Sequence, residues 1–128
     1  MCESLCVINP PYSGDRMSFE RLPTELWVSA HVRRYSLEGI PVAIIKRGDQ
    51  HRGTVIIKMN RLEKGCAILT QTSDHNGNIA WLAALDGNLV PEAEAEAYIE
   101  RQVARDTDLW VVEVEDRAGR CLFDGRIL

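Results

Sequence analysis

Apolar side chains recur at helical spacing in two segments of the chain. In residues 24–37 they form one stripe, made up of Trp27, Val28, His31, Val32 and Tyr35. Thr24 is a suitable N-cap and Gly39 a suitable end signal. His31 is interpreted as a hydrogen-bonded core or rim residue rather than a catalyst or ligand. The second segment follows Pro91, which suits the first turn of a helix, and its stripe consists of Ala95, Tyr98, Ile99 and Val103. The pattern predicts two helices, each with one buried face.

The other apolar runs are rich in β-branched residues and predict six strands. These strands are residues 41–47, 54–60, 66–72, 79–83, 106–116 and 120–124. Glycine and polar residues at 48–53 predict a hairpin between the first two strands, and Asn76-Gly77 predicts one between the third and the fourth. The order helix, four strands, helix, two strands predicts an α+β fold. Its mainly antiparallel sheet of about six strands would begin with a four-stranded meander and carry both helices on one side.

The strand predicted at 106–116 combines an apolar run with charged residues. Since side chains alternate between the two faces of a strand, Glu113 and Glu115 share a face with Leu109 and Val111. The opposite face is predicted to pack into the core and carries Trp110, Val112 and Val114. A buried carboxylate requires a cationic or hydrogen-bonding partner. Glu113 therefore either lies on a solvated sheet face or has such a partner.

Lys58 has the charge that this partner needs. It lies in the second predicted strand, and it would face Glu113 if that strand and the strand at 106–116 were neighbours. Because the sequence does not determine strand order, two interpretations remain open. We favour a solvated sheet face; the alternative is a buried ion pair, in which truncation of either residue would be strongly destabilising.

Length and composition predict one domain in a cytoplasmic protein. The chain has 128 residues, of which 45% are hydrophobic and 27% charged, as in ordinary globular domains. Residues 1–19 are predicted to be a disordered tail that includes Met17 as a candidate natural start, and residues 20–128 a single α+β domain. No apolar run approaches the roughly 20 residues that span a bilayer, so no membrane association is expected.

Four cysteines without a second pair of ligands predict reduced thiols, no metal and no cofactor.

Charge is distributed unevenly along the chain. Residues 1–64 contain ten Lys or Arg against seven Asp or Glu, and residues 65–128 contain five against twelve, which together give the net charge of −4. Within the first half, segment 33–64 has eight basic and three acidic residues. This excess is compatible with weak nucleic-acid binding, but the overall acidity favours two halves of one fold that attract each other. Nucleic acid is therefore not the expected partner.

Two groups of residues have side chains suited to acid–base chemistry. The predicted hairpin loop carries Asp49, His51 and Arg52, a set that suits an anionic substrate, and Glu113 with Glu115 forms a carboxylate pair. Asp49 with His51, or Glu113 with Glu115, could serve a small hydrolase or isomerase. Polar residues are nevertheless common in turns and on sheet faces. The sequence contains no nucleophile elbow, phosphate-binding loop, dinucleotide fingerprint or zinc-protease motif.

Five segments together resemble a family of small alphaproteobacterial proteins of unknown function. They are RLPTELWVSA at 21–30, the pair Arg33-Arg34, the turn at 47–49, KMNR at 58–61 and DLWVVEVED at 108–116. The resemblance covers about residues 18–124. It implies a bacterial origin, and it brings no established chemistry to the chain.

The absence of catalytic motifs favours a non-enzymatic interaction or regulatory module, with the acid–base enzyme and the nucleic-acid binder as alternatives. Arginine and tryptophan are enriched at protein interfaces. The candidate binding residues are Arg21, Trp27, Arg33, Arg34, Asp49, Arg61, Trp110 and Glu113. Trp27 or Trp110 would act as an aromatic anchor if either is exposed.

The expected partner is another protein or a second copy of the chain, and open sheet edges would favour self-association unless basic residues blunt them. Those residues are Lys46, Arg47 and Lys58.

Overall fold

The computed structural model describes residues 22–128, which form two α-helices and one six-stranded sheet. The helices are α1 (Thr24–Leu37) and α2 (Glu92–Arg105). The strands are β1 (Val42–Lys46), β2 (Val55–Asn60), β3 (Cys66–Ser73), β4 (Ile79–Ala83), β5 (Trp110–Glu115) and β6 (Arg126–Ile127). The α+β class is confirmed, and the tail predicted at residues 1–19 lies outside the described residues. Neither of the two helices is long and apolar enough to cross a membrane.

The sheet is mixed, with the strand order β1-β5-β2-β3-β4-β6. Neighbouring strands are antiparallel except at β2–β5 and β4–β6, which are parallel. The hairpin predicted across residues 48–53 is wrong, because β5 lies between β1 and β2. Turn residues show where a chain bends, but they do not show which strand the next one joins. The residues of β5 are mostly buried on both faces, whereas β1 alternates between half-buried and exposed positions, so β5 takes the interior place.

The two helices pack on opposite faces of the sheet, whereas the sequence predicted both on one side. α1 contributes Trp27 and Tyr35 to a core that also contains residues of β2 and β5, namely Val55, Ile57, Met59, Trp110, Val112 and Val114. α2 contributes Ala95 and Ile99 to a second core, which also contains Ile56, Ile68, Leu109 and Val111. Successive side chains of β2 point to alternate faces and all six are buried, so both faces need a cover. The result is a helix, a sheet and a helix in three layers.

The last predicted strand is also wrong. Residues 120–124 form no strand, and a two-residue strand just beyond them, β6, pairs with β4. Cys121 and Phe123 are nevertheless fully buried in the core beneath α1. An irregular segment that buries every second residue has the same apolar spacing as a strand, so the sequence pattern did not distinguish the two.

Candidate functional site

The loop at residues 47–54 contains Asp49, His51 and Arg52, the first of the two groups suited to acid–base chemistry. The Oδ2 atom of Asp49 accepts hydrogen bonds from the backbone N–H groups of Arg52, at 2.7 Å, and His51, at 3.0 Å. These bonds, the one from Arg52 foremost, lower the pKa of the Asp49 carboxyl. The carboxylate thus shapes the loop, while His51 and Arg52 stay exposed to solvent.

The start of β5 holds this loop from one side. The backbone N–H of Asp49 donates to the carbonyl oxygen of Asp108 at 3.0 Å, and Nε1 of Trp110 donates to the carbonyl oxygen of Asp49 at 2.7 Å. Glycine at positions 48 and 53 permits this approach, because a Cβ atom on Gly48 or Gly53 would collide with the carbonyl oxygen of Asp108. Trp110 is only 1% exposed. It is therefore an internal anchor of the loop, and the condition for a surface anchor is not met.

The first turn of α1 holds the loop from the other side. The sequence predicted Thr24 as the N-cap, but the N-cap is Pro23 and Thr24 is the first helical residue. The Oγ1 atom of Thr24 makes contacts with the carbonyl oxygens of Gly53, at 3.1 Å, and His51, at 3.3 Å. The hydroxyl is thus engaged by the loop instead of capping the helix. The loop is tied to two separate elements, which makes it a rigid support for the exposed side chains of His51 and Arg52.

A cleft of about 310 Å³ lies beside this loop. Its lining includes two exposed residues of the loop, His51 and Arg52. The apolar part of the lining includes Trp27, Val55 and Ile79, and β3 contributes Gln71, Thr72 and Ser73. No aspartate or glutamate is among the described residues that line it. The lining of the cleft therefore combines basic, uncharged polar and apolar side chains.

Lys58 and Glu113 lie opposite each other in the parallel pairing of β2 with β5. The Nζ atom of Lys58 is 3.4 Å from Oε2 of Glu113, and it lies closer to two carboxylates of α2, at 2.8 Å from Glu92 and 3.1 Å from Glu96. Nδ2 of Asn60 donates to Glu113 at 3.0 Å. Because the Lys58 side chain is only 4% exposed, the favoured interpretation of a solvated face is wrong at this residue, and the ion-pair alternative applies.

These four charged residues form the Lys58 cluster: Lys58, Glu92, Glu96 and Glu113. Burial opposes the positive charge of Lys58, but hydrogen bonds to Glu92 and Glu96 and the charge of Glu113 outweigh it and raise the pKa of Lys58. In the sequence, the only signal that could have connected the two glutamates of α2 with this lysine is their spacing of four residues, which puts both on one side of a helix. The cluster attaches the N-terminal half of α2 to the sheet.

His31 is a hydrogen-bonded core residue, as predicted. It is fully buried, its Nδ1 atom lies 2.7 Å from the carbonyl oxygen of Trp27, and its ring stacks on the Trp27 ring at a centroid distance of 3.9 Å. Its Nε2 atom is 3.3 Å from Oδ2 of Asp124, and Nη1 of Arg34 is 3.2 Å from the other carboxylate oxygen. Asp124 thus connects the C-terminal segment, residues 116–128, to α1, and no local pattern in the sequence points to this role. Trp27, only 4% exposed, does not meet the condition for a surface anchor either.

Asp124→Asn is expected to weaken this connection and to reduce the acid sensitivity of folding. Burial opposes ionisation of Asp124, but His31 and Arg34 outweigh it and lower the pKa of the carboxyl. A carboxyl whose pKa is lowered in the folded state stabilises the protein at pH values above its unfolded-state pKa of about 3.9. This contribution is lost as the pH falls through the folded-state pKa. The variant should lose about 1 to 2 kcal/mol at pH 7.

Urea unfolding of wild type and Asp124→Asn from pH 7 down to pH 3 would measure both effects. The stability difference between them should shrink below about pH 5. Glu100→Gln, at an exposed position of α2, serves as the control and should change stability little at any pH. A constant difference between wild type and Asp124→Asn across the range would contradict the electrostatic role.

Only some of the arginines among the candidate binding residues are available to a partner. Arg33 is exposed on α1, whereas Nη1 of Arg34 donates to the carbonyl oxygen of Leu122 at 2.6 Å. Nε of Arg61 donates to a backbone carbonyl in the turn after β5 at 3.0 Å. Arg34 and Arg61 thus hold the C-terminal segment in place, and Arg21 lies outside the described residues.

The second group suited to acid–base chemistry is also divided. Glu113 is half-buried within the Lys58 cluster, whereas Glu115 is exposed at the end of β5. Both side chains are on the same face of the strand, as the alternation predicted, but only Glu113 has a cationic partner among residues 22–128. The pair does not share one environment in which the two carboxylates could act on a single substrate.

The fold and these sites together define a class: a three-layer α+β domain on a mixed six-stranded sheet, in which charged and polar side chains fasten one element to the next. Within residues 22–128, no group of three or more His, Cys, Asp or Glu side chains is placed to hold a metal ion. Cys66 and Cys121 are both buried, and burial raises the pKa of the Cys66 thiol.

The chain belongs to the DUF1491 family, a family of proteins of unknown function whose model matches residues 22–124. A crystal structure of a DUF1491 family protein from Caulobacter crescentus CB15 is 31% identical, with 84% of this chain and 99% of that chain covered and a TM-score of 0.75. An NMR structure of a DUF1491 family protein from the same organism is also 31% identical, with 84% of this chain and 97% of that chain covered and a TM-score of 0.73. The solution structure of protein Atu0922 from A. tumefaciens is 26% identical, with 74% of this chain and 86% of that chain covered and a TM-score of 0.64. No curated protein matches the chain. The resemblance to a bacterial family of unknown function is confirmed.

Proposed function

We propose that this protein is a cytoplasmic, non-enzymatic interaction module that binds an extended segment of a partner protein along β1. The observation that carries the proposal is the open outer edge of this strand: among residues 22–128, β1 pairs only with β5. An open edge presents unpaired backbone groups, and adding a strand to such an edge is a common way to bind a peptide.

The hydrogen-bond pattern of β1 identifies which backbone groups face outward. The N–H of Glu115 donates to the carbonyl oxygen of Pro41, and Ala43 lies opposite Glu113 in the same register. Since alternate residues of an antiparallel strand bond to the same neighbour, the N–H and C=O groups of Val42 and Ile44 point away from β5. The register shifts between Ile44 and Lys46, so the regular part of this edge is short and suits a reversible contact.

The basic residues predicted to blunt the sheet edges are engaged elsewhere. Nζ of Lys46 donates to the carbonyl oxygens of Thr107, at 2.7 Å, and Leu109, at 3.0 Å. Arg47 is 2.7 Å from a carboxylate oxygen of Glu25, with its guanidinium over the Trp110 ring, and Lys58 is buried. Beside the edge, Ala43 is exposed and Ile45 is 56% exposed. Apolar side chains therefore adjoin an edge that no lysine covers.

The acid–base enzyme has less support from the same residues. The Asp49 carboxylate is bound to the backbone of its own loop, and Glu113 is bound to Lys58 and Asn60. A general base has to reach the proton that it removes, and these contacts occupy both carboxylates.

A double substitution that places lysine at Ala43 and Ile45 is expected to abolish binding of the partner. Charge on an open edge disfavours the addition of another strand, and a loss of at least about tenfold in affinity is expected. The matched control is Leu82→Lys. Leu82 is 50% exposed, and the register places it on the same sheet face as Ala43, but its strand, β4, has a neighbour on each side.

The measurement is affinity capture from the native cell with wild type, the double variant and Leu82→Lys, followed by titration of the captured protein. Selective loss in the double variant supports the proposal, and equal affinity in all three contradicts it. Size-exclusion chromatography with light scattering over a range of concentrations would show whether the partner is a second copy of this chain.

A further inference from the structure

The cleft beside the 47–54 loop differs in charge from the protein as a whole. The chain has a net charge of −4, yet the charged or titratable side chains that line the cleft are only those of Arg52 and His51 among the described residues. No carboxylate among residues 22–128 lies within 4.0 Å of the Arg52 guanidinium. The nearby carboxylate of Asp49 accepts from backbone N–H groups instead. The cleft therefore keeps a cationic group available to an anion from solution.

The support beneath Arg52 is rigid. Asp49 closes the loop through its carboxylate, and the indole N–H of Trp110 donates to the carbonyl oxygen of Asp49 at 2.7 Å. From α1, the Thr24 hydroxyl contacts the carbonyl oxygen of Gly53. Ordering a side chain on binding costs less when the backbone that carries it is already fixed. A loop held this firmly that leaves the side chains of His51 and Arg52 outside its own hydrogen-bond network is suited to bind a ligand.

The rest of the lining sets the nature of that ligand. Oε1 of Gln71 accepts from the backbone N–H of Val55 at 2.8 Å, which orients the side-chain amide and leaves its NH₂ group as a donor. Ser73, which shares a face of β3 with Gln71, adds a neutral hydroxyl, and Trp27 adds apolar surface. A volume of about 310 Å³ is at the small end of ligand sites, which suits a molecule with one small ring or a short chain.

We propose that this cleft is a binding site for a small organic anion, in which Arg52 binds a carboxylate or phosphate group and the apolar lining contacts the body of the molecule. The guanidinium offers paired donors that match either anionic group. His51, next to Arg52 in the chain, also lines the cleft, and Gln71 and Ser73 of β3 bind the uncharged parts. The site is separate from the β1 edge, so either can exist without the other.

Titration of the ¹⁵N-labelled protein with benzoate, phenyl phosphate and neutral benzamide at constant ionic strength would test the proposal. Benzoate or phenyl phosphate, or both, should shift the amide signals of Gly53, Thr54, Thr72 and Ser73 with a saturable millimolar Kd. Benzamide, which has the ring without the charge, should bind at least about fivefold more weakly. The ratio of the two anionic affinities distinguishes a carboxylate site from a phosphate site.

Arg52→Gln should weaken binding of the preferred anion about tenfold, because the charged donor pair is lost. Arg33→Gln makes the same change in net charge at an exposed position of α1 and should bind as the wild type does. An unshifted spectrum, equal binding of benzamide and the anions, or equal weakening by both substitutions would overturn the proposal. Both arginines are exposed, so both variants are expected to fold as the wild type does. Amide signals outside the cleft that match the wild-type spectrum would verify this.

Discussion

Lys58→Met is expected to destabilise the protein by about 3 kcal/mol, because it removes the cation from a cluster of three carboxylates. Glu113, whose side chain is only 20% exposed, would be left without its cationic partner in this cluster. Glu92 and Glu96 are more than half exposed and can turn to water, so the loss should lie at the low end for a broken buried ion pair. The apolar body of methionine keeps most of the lysine packing.

Urea unfolding at pH 7 would measure this loss, with Lys64→Met as the matched control. Lys64 is exposed in the turn after β2, and its replacement should change stability by less than about 0.5 kcal/mol. Glu113→Ala should cost less than Lys58→Met, about 1 to 2 kcal/mol, because Lys58 keeps its two partners on α2. Combining Lys58→Met with Glu113→Gln should recover part of the loss, since no half-buried charge without a cationic partner then remains at position 113. A Lys58→Met variant as stable as wild type would show that the cluster contributes nothing.

The same cluster gives an alkaline signature. The pKa of Lys58 is raised in the folded protein, so its contribution is fully present below the usual lysine value of about 10.4 and is lost as the pH rises through the folded value. Wild type should therefore lose stability in strongly alkaline solution, and Lys58→Met should lack this part of the decline.

Trp110→Ala is expected to cost about 4 kcal/mol, the largest effect of a single substitution that we predict. Trp110 is 1% exposed, it packs in the core beneath α1, and its indole N–H holds the carbonyl oxygen of Asp49. The truncation leaves a cavity at the start of β5 and releases the 47–54 loop. Because β5 lies between β1 and β2, a loss of order there affects both neighbours.

Trp110→Phe separates the two contributions of this residue. It keeps most of the packing but removes the hydrogen bond to Asp49, for which a cost of about 1 to 2 kcal/mol is expected. Hydrogen exchange should show faster exchange of the backbone N–H of Asp49 and Gly53 in this variant. Tyr98→Phe, at a half-buried position on α2, is the control and should be close to wild type. Loop protection equal to wild type in Trp110→Phe would contradict the anchoring role.

Single residues of the site were predictable to the extent that their environment is local. His31 was correctly interpreted as a core residue, because a stripe of apolar neighbours on its own helix surrounds it. Asp124, 93 positions later in the chain, was not found as its partner, since no local pattern connects them. Lys58 and Glu113 were paired correctly by charge, but their burial depends on α2, which covers that face.

The features that depend on neighbouring residues could be predicted from the order of the amino acids alone. Both helices, the turn at Asn76-Gly77 and the core face of β5 follow from side-chain spacing and turn propensity, because these act over a few residues. Three other features required the three-dimensional fold: β5 separates β1 from β2, the helices cover opposite faces, and Trp110 is an internal anchor. Strand pairing and burial depend on backbone hydrogen bonds and apolar contacts between residues far apart in the chain, and several arrangements satisfy the same local pattern.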